Sequence, residues 1–190
     1  PPLPKPAQIQ ARLRTNQSLV AYHCGERYWF AFCINRDSFK VVKIPASDTL
    51  ETQVLRYAQY CRINPSKLPD TIGPTVFEGM AHTGAALYRQ LVASLQLSAK
   101  MRDMLIVPDG LLCLLPFEAL IAKPGRLAHR FGHRYWVQQV NIAYAHSALV
   151  WTALSDRPAV AGHRPLLRIA PDFQYNTRGL QPLRYNRVEV

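Results

Sequence analysis

Between Met104 and Leu120 the chain reads MLIVPDGLLCLLPFEAL, and no other stretch restricts the fold as strongly. Met104-Leu105-Ile106-Val107 is a run of apolar residues without polar alternation, the pattern of a strand covered on both faces. Pro108-Asp109-Gly110 ends it, because proline presets one dihedral and glycine permits a positive φ, so the chain turns there. Leu111 to Leu115 is a second apolar run, expected as another buried strand. Pro116 stands where a helix can begin without losing a hydrogen bond, and Phe117 to Ile121 is expected to form at least one helical turn. A strand buried on both faces needs a layer above and a layer below. In a chain of 190 residues that is 48% apolar and 18% charged, this means a globular protein with helices packed on a sheet.

The flanking sequence supplies those layers. PPLPKP is an extended proline-rich arm, and Ala7 to Arg14 has the form of a short helix end. Ser18 to His23, Arg27 to Ile34 and Phe39 to Ile44 are rich in β-branched and aromatic residues and are separated by turn residues, so an antiparallel meander is expected. Asp48 as N-cap with Glu51 three residues on opens a helix over Thr49 to Arg62, whose Leu50, Val54, Leu55, Ala58 and Cys61 recur at helical spacing. Asn64 to Pro74 reads as a loop, and a second helix from Thr75 carries a broad apolar face through Leu95. Lys123 to Arg134 reads as an exposed basic loop and Tyr135 to Tyr144 as a strand. Ser147 caps a helix to about Leu154, Asp156 to Arg164 is a linker, and Leu166 to Ala170 is a last strand closed by Pro171-Asp172. The fold class is therefore α/β, a mixed sheet with flanking helices and an N-terminal antiparallel meander.

Composition excludes several function classes. No apolar run approaches the roughly 20 residues that span a bilayer, and the N-terminus lacks a signal-peptide pattern, so a soluble cytoplasmic protein without membrane contact is expected. Both ends look cut, since the chain starts on Pro1 and stops on Glu189-Val190. Cys24, Cys33, Cys61 and Cys113 form no CxxC pair and read as reduced structural thiols rather than disulfides or zinc ligands. The formal net charge is +11, and residues 123–190 carry 10 basic groups against 3 acidic ones.

Five blocks in fixed order resemble one family. They are Gln17 to Tyr22 with the following meander, Ala86 to Leu91, Leu105 to Gly110, Leu114 to Leu120, and Tyr144 to Ala148. LIVPDG followed by LLPFEAL is the most specific. The order resembles the CHAT family of caspase-like cysteine peptidases, related to separase and often joined to helical repeats. The resemblance covers roughly residues 10 to 190 and implies the pseudo-protease half of a caspase-like domain. Residues 1–9 are then a proline-rich linker, and residues 10–190 the N-terminal, non-catalytic part of a domain truncated at its C-terminus. In such domains a histidine, usually followed by glycine, and a cysteine come at the ends of later strands, after a segment like Leu180 to Val190. The implied partners are a protein substrate, the remainder of the domain and helical repeats. No cofactor or metal is implied. An incomplete sheet is also expected to expose an apolar edge and to associate.

None of the residues within the chain that could do chemistry is expected to be catalytic. A cysteine peptidase needs an accessible thiolate beside an imidazole. His23 and Cys24 are adjacent, but strand neighbours point to opposite faces. Cys113 sits in an apolar run and is expected in the core. His129 and His133 have the four-residue spacing of zinc helices, yet Gly132 and the surrounding arginines favour a solvated basic loop. Asp109 and Glu118 could be an acid–base pair, but turn formation and a helix first turn explain them. His146-Ser147 lacks a nucleophile elbow, which leaves Ser147 as a helix cap. The basic residues Lys123, Arg126, Arg130, Arg134, Arg157, Arg164, Arg168, Arg178, Arg184 and Arg187 would suit an acidic partner or the rest of the domain. Nucleic acid is disfavoured, because no base-stacking motif accompanies them.

Overall fold

The computed structural model describes residues 4–63, 72–125 and 133–156, all within the compact unit Pro1–Arg157. Its centre is a five-stranded sheet. β1 (Gln17–Cys24), β2 (Tyr28–Asn35) and β3 (Ser38–Pro45) form the expected meander, each pair antiparallel. The chain then leaves the sheet through two helices and returns as β4 (Asp103–Val107). β4 lies parallel to β1 on the side away from β2, with Leu19 opposite Leu105 and Ala21 opposite Val107. A last strand, Asn141–Tyr144, extends the sheet parallel to β4, giving two antiparallel and two parallel pairs. The mixed α/β sheet with flanking helices is as the sequence predicts.

Side-chain alternation sends the two halves of each strand to different layers. On one face Val20, Tyr22, Trp29, Ala31, Cys33, Met104 and Ile106 meet α2 (Asp48–Arg62) and α3 (Gly73–Leu87). α2 buries Leu50, Val54, Tyr57 and Ala58, the stripe expected of a helix on a sheet. Its cap is Ser47 rather than Asp48: the Ser47 hydroxyl accepts the Leu50 N–H at 3.1 Å, and Asp48 and Glu51 sit in the first turn at the positive end of the dipole. α3 begins at Gly73 with Pro74 in its first turn, two residues before the predicted start. It approaches α2 closely at Gly84, where a Cβ would lie 2.6 Å from the Tyr57 ring. The helix then widens into a π turn over Tyr88–Val92, and the Leu91 carbonyl accepts the buried Tyr22 hydroxyl at 2.8 Å.

The other face is thinner. Leu19, Ile34, Leu105 and Val107 meet Ile9 and Leu13, with Trp151 and Ala148 at the margin. Ile9 belongs to α1 (Pro6–Gln10), so the helix starts inside the stretch expected as linker, with Pro6 at a position where its missing N–H costs nothing. α4 (Ala148–Ser155) is capped by Ser147, whose hydroxyl accepts the Val150 N–H at 3.1 Å, as predicted. Its end is tied to the α1 side by Arg12, which donates to both Asp156 carboxylate oxygens at 2.7 and 2.6 Å.

Two strand predictions fail for the same reason. The run after Gly110 is a 3-10 helix over Gly110–Leu114, whose period of three turns Leu112 and Leu115 inward and leaves Cys113 and Leu114 exposed. Cys113 is thus not a core residue. The stretch from Tyr135 to Tyr144 is interrupted by a 3-10 turn over Trp136–Gln138, because Trp136 drops into the core against Tyr88 while its N–H donates to the Leu120 carbonyl at 2.8 Å. The helical turn after Pro116 is confined to Phe117–Ala119. A two-stranded ribbon follows, β5 (Ile121–Lys123) with β6 (Arg134–Tyr135), so both ends of the predicted basic loop are strand. The strand Asn141–Tyr144 is β7. The predicted linker beyond Asp156, the strand Leu166 to Ala170 and the segment Leu180 to Val190 lie outside the described residues.

Candidate functional site

In a sheet with parallel members, the carboxyl ends of neighbouring parallel strands are where functional groups gather when the connections diverge. β1 and β4 are such a pair, since β1 connects toward β2 and β4 pairs onward to β7. The turn that follows β4 closes the gap between them. The Asp109 carboxylate accepts the Cys24 N–H at 2.8 Å and stands 3.3 Å from His23 Nδ1, while the Asp109 carbonyl accepts the Cys24 thiol at 3.2 Å. Gly110 has a φ of 54°, and a Cβ there would sit 3.3 Å from Cys24 Cβ. The turn needs glycine for both reasons. The opposite end of β4 is fastened in the same way: Asp103 accepts from Arg14 at 3.0 Å, from Asn16 at 3.2 Å and from Asn141 at 2.8 Å.

Histidine, cysteine and aspartate therefore meet at one strand end, with the thiol and the imidazole on opposite faces of the sheet. Cys24 points into the thick layer and His23 to the opposite face, as alternation requires. Burial, and next the negative charge of Asp109, push the Cys24 thiol up to about 11, so it is protonated at neutral pH. Burial likewise moves Cys33 and Cys61 up to about 11. All four cysteines are free.

The remaining candidates are spread apart. Glu118 accepts the Tyr144 hydroxyl, which in turn accepts the Phe117 N–H at 3.0 Å, so Glu118 fastens the end of β7 and Asp109 fastens the end of β1. Burial, then the Glu118 hydrogen bond, raise the Tyr144 pKa. Asp109 and Glu118 have separate partners rather than a shared proton. His133 departs from the solvated loop predicted for it: it is buried, its Nδ1 accepts the Gly125 N–H at 3.0 Å, its ring meets Tyr135 edge-on, and burial lowers its pKa. His129 lies outside the described residues. Among the described residues no group of three or more His, Cys, Asp or Glu side chains could hold a metal ion. Nor is any helix among them long and apolar enough to cross a membrane. Of the ten cations in the basic region, only Lys123 and Arg134 are described.

The sequence pointed to the turn but not to its partner. Asp109 and Cys24 are 85 residues apart, and only parallel pairing of β1 with β4 brings them together. A family model, CHAT domain, matches residues 81–190, more than half of the chain, and includes the block from Leu105 to Leu120. The meander over β1 to β3 precedes the matched stretch. No match is found among curated proteins.

Proposed function

The chain belongs to the CHAT domain family, a caspase-like family, and from that premise we propose that it forms the structural, substrate-side half of a cysteine endopeptidase domain. In this reading the catalytic histidine and cysteine follow the residues of this chain. There the histidine would take the proton of the thiol, the thiolate would attack a peptide carbonyl, and backbone N–H groups would stabilise the oxyanion. One observation carries the reading: where the strand ends converge, the local cysteine is a protonated thiol bonded to a carbonyl, with its neighbouring imidazole on the other face. Asp109 and Glu118 then serve to hold strand ends in place, β1 through Cys24 and β7 through Tyr144. Free thiols fit a reducing compartment, which supports a cytoplasmic setting.

The test is a peptidase assay with a mixed set of fluorogenic peptides, run on this chain and on a form extended by about 150 residues, a domain-scale addition. The chain by itself is expected to be silent, and the extended form to show turnover that a thiol-alkylating reagent abolishes. Turnover by the chain alone that disappears in Cys24→Ala would overturn the reading.

A further inference from the structure

Among the described residues β3 is an edge strand, and its chemistry is uneven along its length. The two-residue turn Arg36-Asp37 makes Asn35 and Ser38 a hydrogen-bonded pair, and such pairs recur at every second residue. The Ala46 N–H donating to the Arg27 carbonyl at 3.1 Å, two residues past the Trp29–Ile44 pair, keeps that phase to the end of the strand. Phe39, Val41 and Lys43 therefore direct their N–H and C=O groups away from β2, toward the open edge. Pro45, the next in phase, has no N–H and ends the row.

The side chains along this edge are not those of a strand blunted throughout. Phe39 is 45% exposed and Val41 47% exposed, opposite Ile34 and Phe32 of β2 on the thin face, with Tyr28 partly exposed beside them. Lys43 stands on the same face with its ammonium 3.4 Å from the Tyr28 ring centroid, and Lys40 is exposed on the other face. The only charges within β3 are these two lysines; Asp37 and Asp48 lie beyond its two ends. Pairing with a second copy would line up four ammonium groups along one seam in a chain of formal net charge +11.

We propose that the open edge of β3 is a docking site for an extended acidic segment of a partner protein, added as a further strand. Main-chain hydrogen bonds to Phe39, Val41 and Lys43 supply the pairing, and two carboxylates three residues apart answer Lys40 and Lys43. Between and beside them the segment carries apolar side chains, which cover Val41 and Phe39.

The probe is a fluorescein-labelled peptide Thr-Glu-Val-Val-Glu-Phe-Thr, titrated with the chain by anisotropy at low salt. Saturable binding is expected, weakened at least about tenfold when both glutamates are replaced by lysine. Val41→Pro removes an outward N–H and an edge side chain but no hydrogen bond to β2, so the fold should hold while binding falls by about the same factor. In Lys40→Glu/Lys43→Glu the preference should invert, with the lysine peptide bound more tightly. Equal binding of the two peptides, indifference to Val41→Pro, or displacement by an oligodeoxynucleotide of matched charge would overturn the proposal. So would a sedimenting dimer of the chain that Val41→Pro dissolves, because the occupant would then be a second copy.

Discussion

The two faces of the sheet differ in depth. Among the described residues one carries a cluster of twenty buried residues built from β1 to β4 against α2, α3 and the turns after β4; the other carries six, between the α1 side and strands β1, β2 and β4. Trp29, Tyr57 and Phe117 are fully buried on the thick side, whereas the thin side leaves Phe39, Val41 and Tyr28 open to solvent. The difference shows a division of labour within one sheet. The thick side fixes the positions of the strands, and the thin side presents surface. The joint at Asp109 spans both, because Cys24 belongs to one face and His23 to the other.

Truncation on each face tests the comparison most strongly. Phe117→Ala should cost about 3–5 kcal/mol, since removing a fully buried ring packed against Tyr22 leaves a cavity in the larger core. Leu105→Ala on the thin face should cost about 2 kcal/mol, at the low end for its type, because α1 is short and can settle inward. Denaturant unfolding gives both values, and equal losses would erase the distinction between the faces. A smaller effect is expected at the α2–α3 contact. Gly84→Ala should lose about 1–3 kcal/mol despite the better helix propensity of alanine, because the new Cβ would meet the buried Tyr57 ring. A more stable variant would show that the ring can move aside.

The smallest effect depends on pH. Burial lowers the His133 pKa, so the unfolded chain binds that proton more tightly than the folded one. Its contribution is therefore complete above the unfolded value of about 6.5 and is lost as pH falls from there toward the lowered folded value. The melting temperatures at pH 7 and pH 5 should differ less in His133→Gln than in the unaltered chain, since glutamine keeps an acceptor for the Gly125 N–H but cannot titrate. An unchanged difference would mean that the ring is charged or solvated in the fold.

Much of this architecture is visible in the residues themselves, and the failures are instructive. Met104 to Val107 and Pro108-Asp109-Gly110 announce a buried strand and its turn because hydrophobic continuity and turn chemistry are local properties. The run Leu111 to Leu115 is equally apolar, yet it is a 3-10 helix. A five-residue apolar run fits either geometry, and only the contacts of Leu112 and Leu115 decide which. Trp136 breaks a predicted strand for a tertiary reason, the space beside Tyr88. Asp48 offers the same capping chemistry as Ser47 one residue later, so local chemistry does not separate the two. At the strand ends, alternation alone separated His23 from Cys24, but nothing local placed Asp109 between them. The two edge lysines of β3 were likewise ordinary strand residues until the pairing phase showed which backbone groups face outward.

The proposed function makes the end of β1 and β4 a closed joint rather than a reaction centre. Alkylation of each cysteine by iodoacetamide at pH 7.5, followed residue by residue with mass spectrometry, tests it directly. Burial and the charge of Asp109 move the Cys24 thiol up to about 11, which depletes its thiolate at pH 7.5, and Cys24 is half-buried where Cys113 is exposed, so Cys24 should react far more slowly than Cys113, with Cys33 and Cys61 slower as well. Preferential modification of Cys24, faster than Cys113 and slowed in His23→Ala, would contradict the account and make the joint a nucleophilic site.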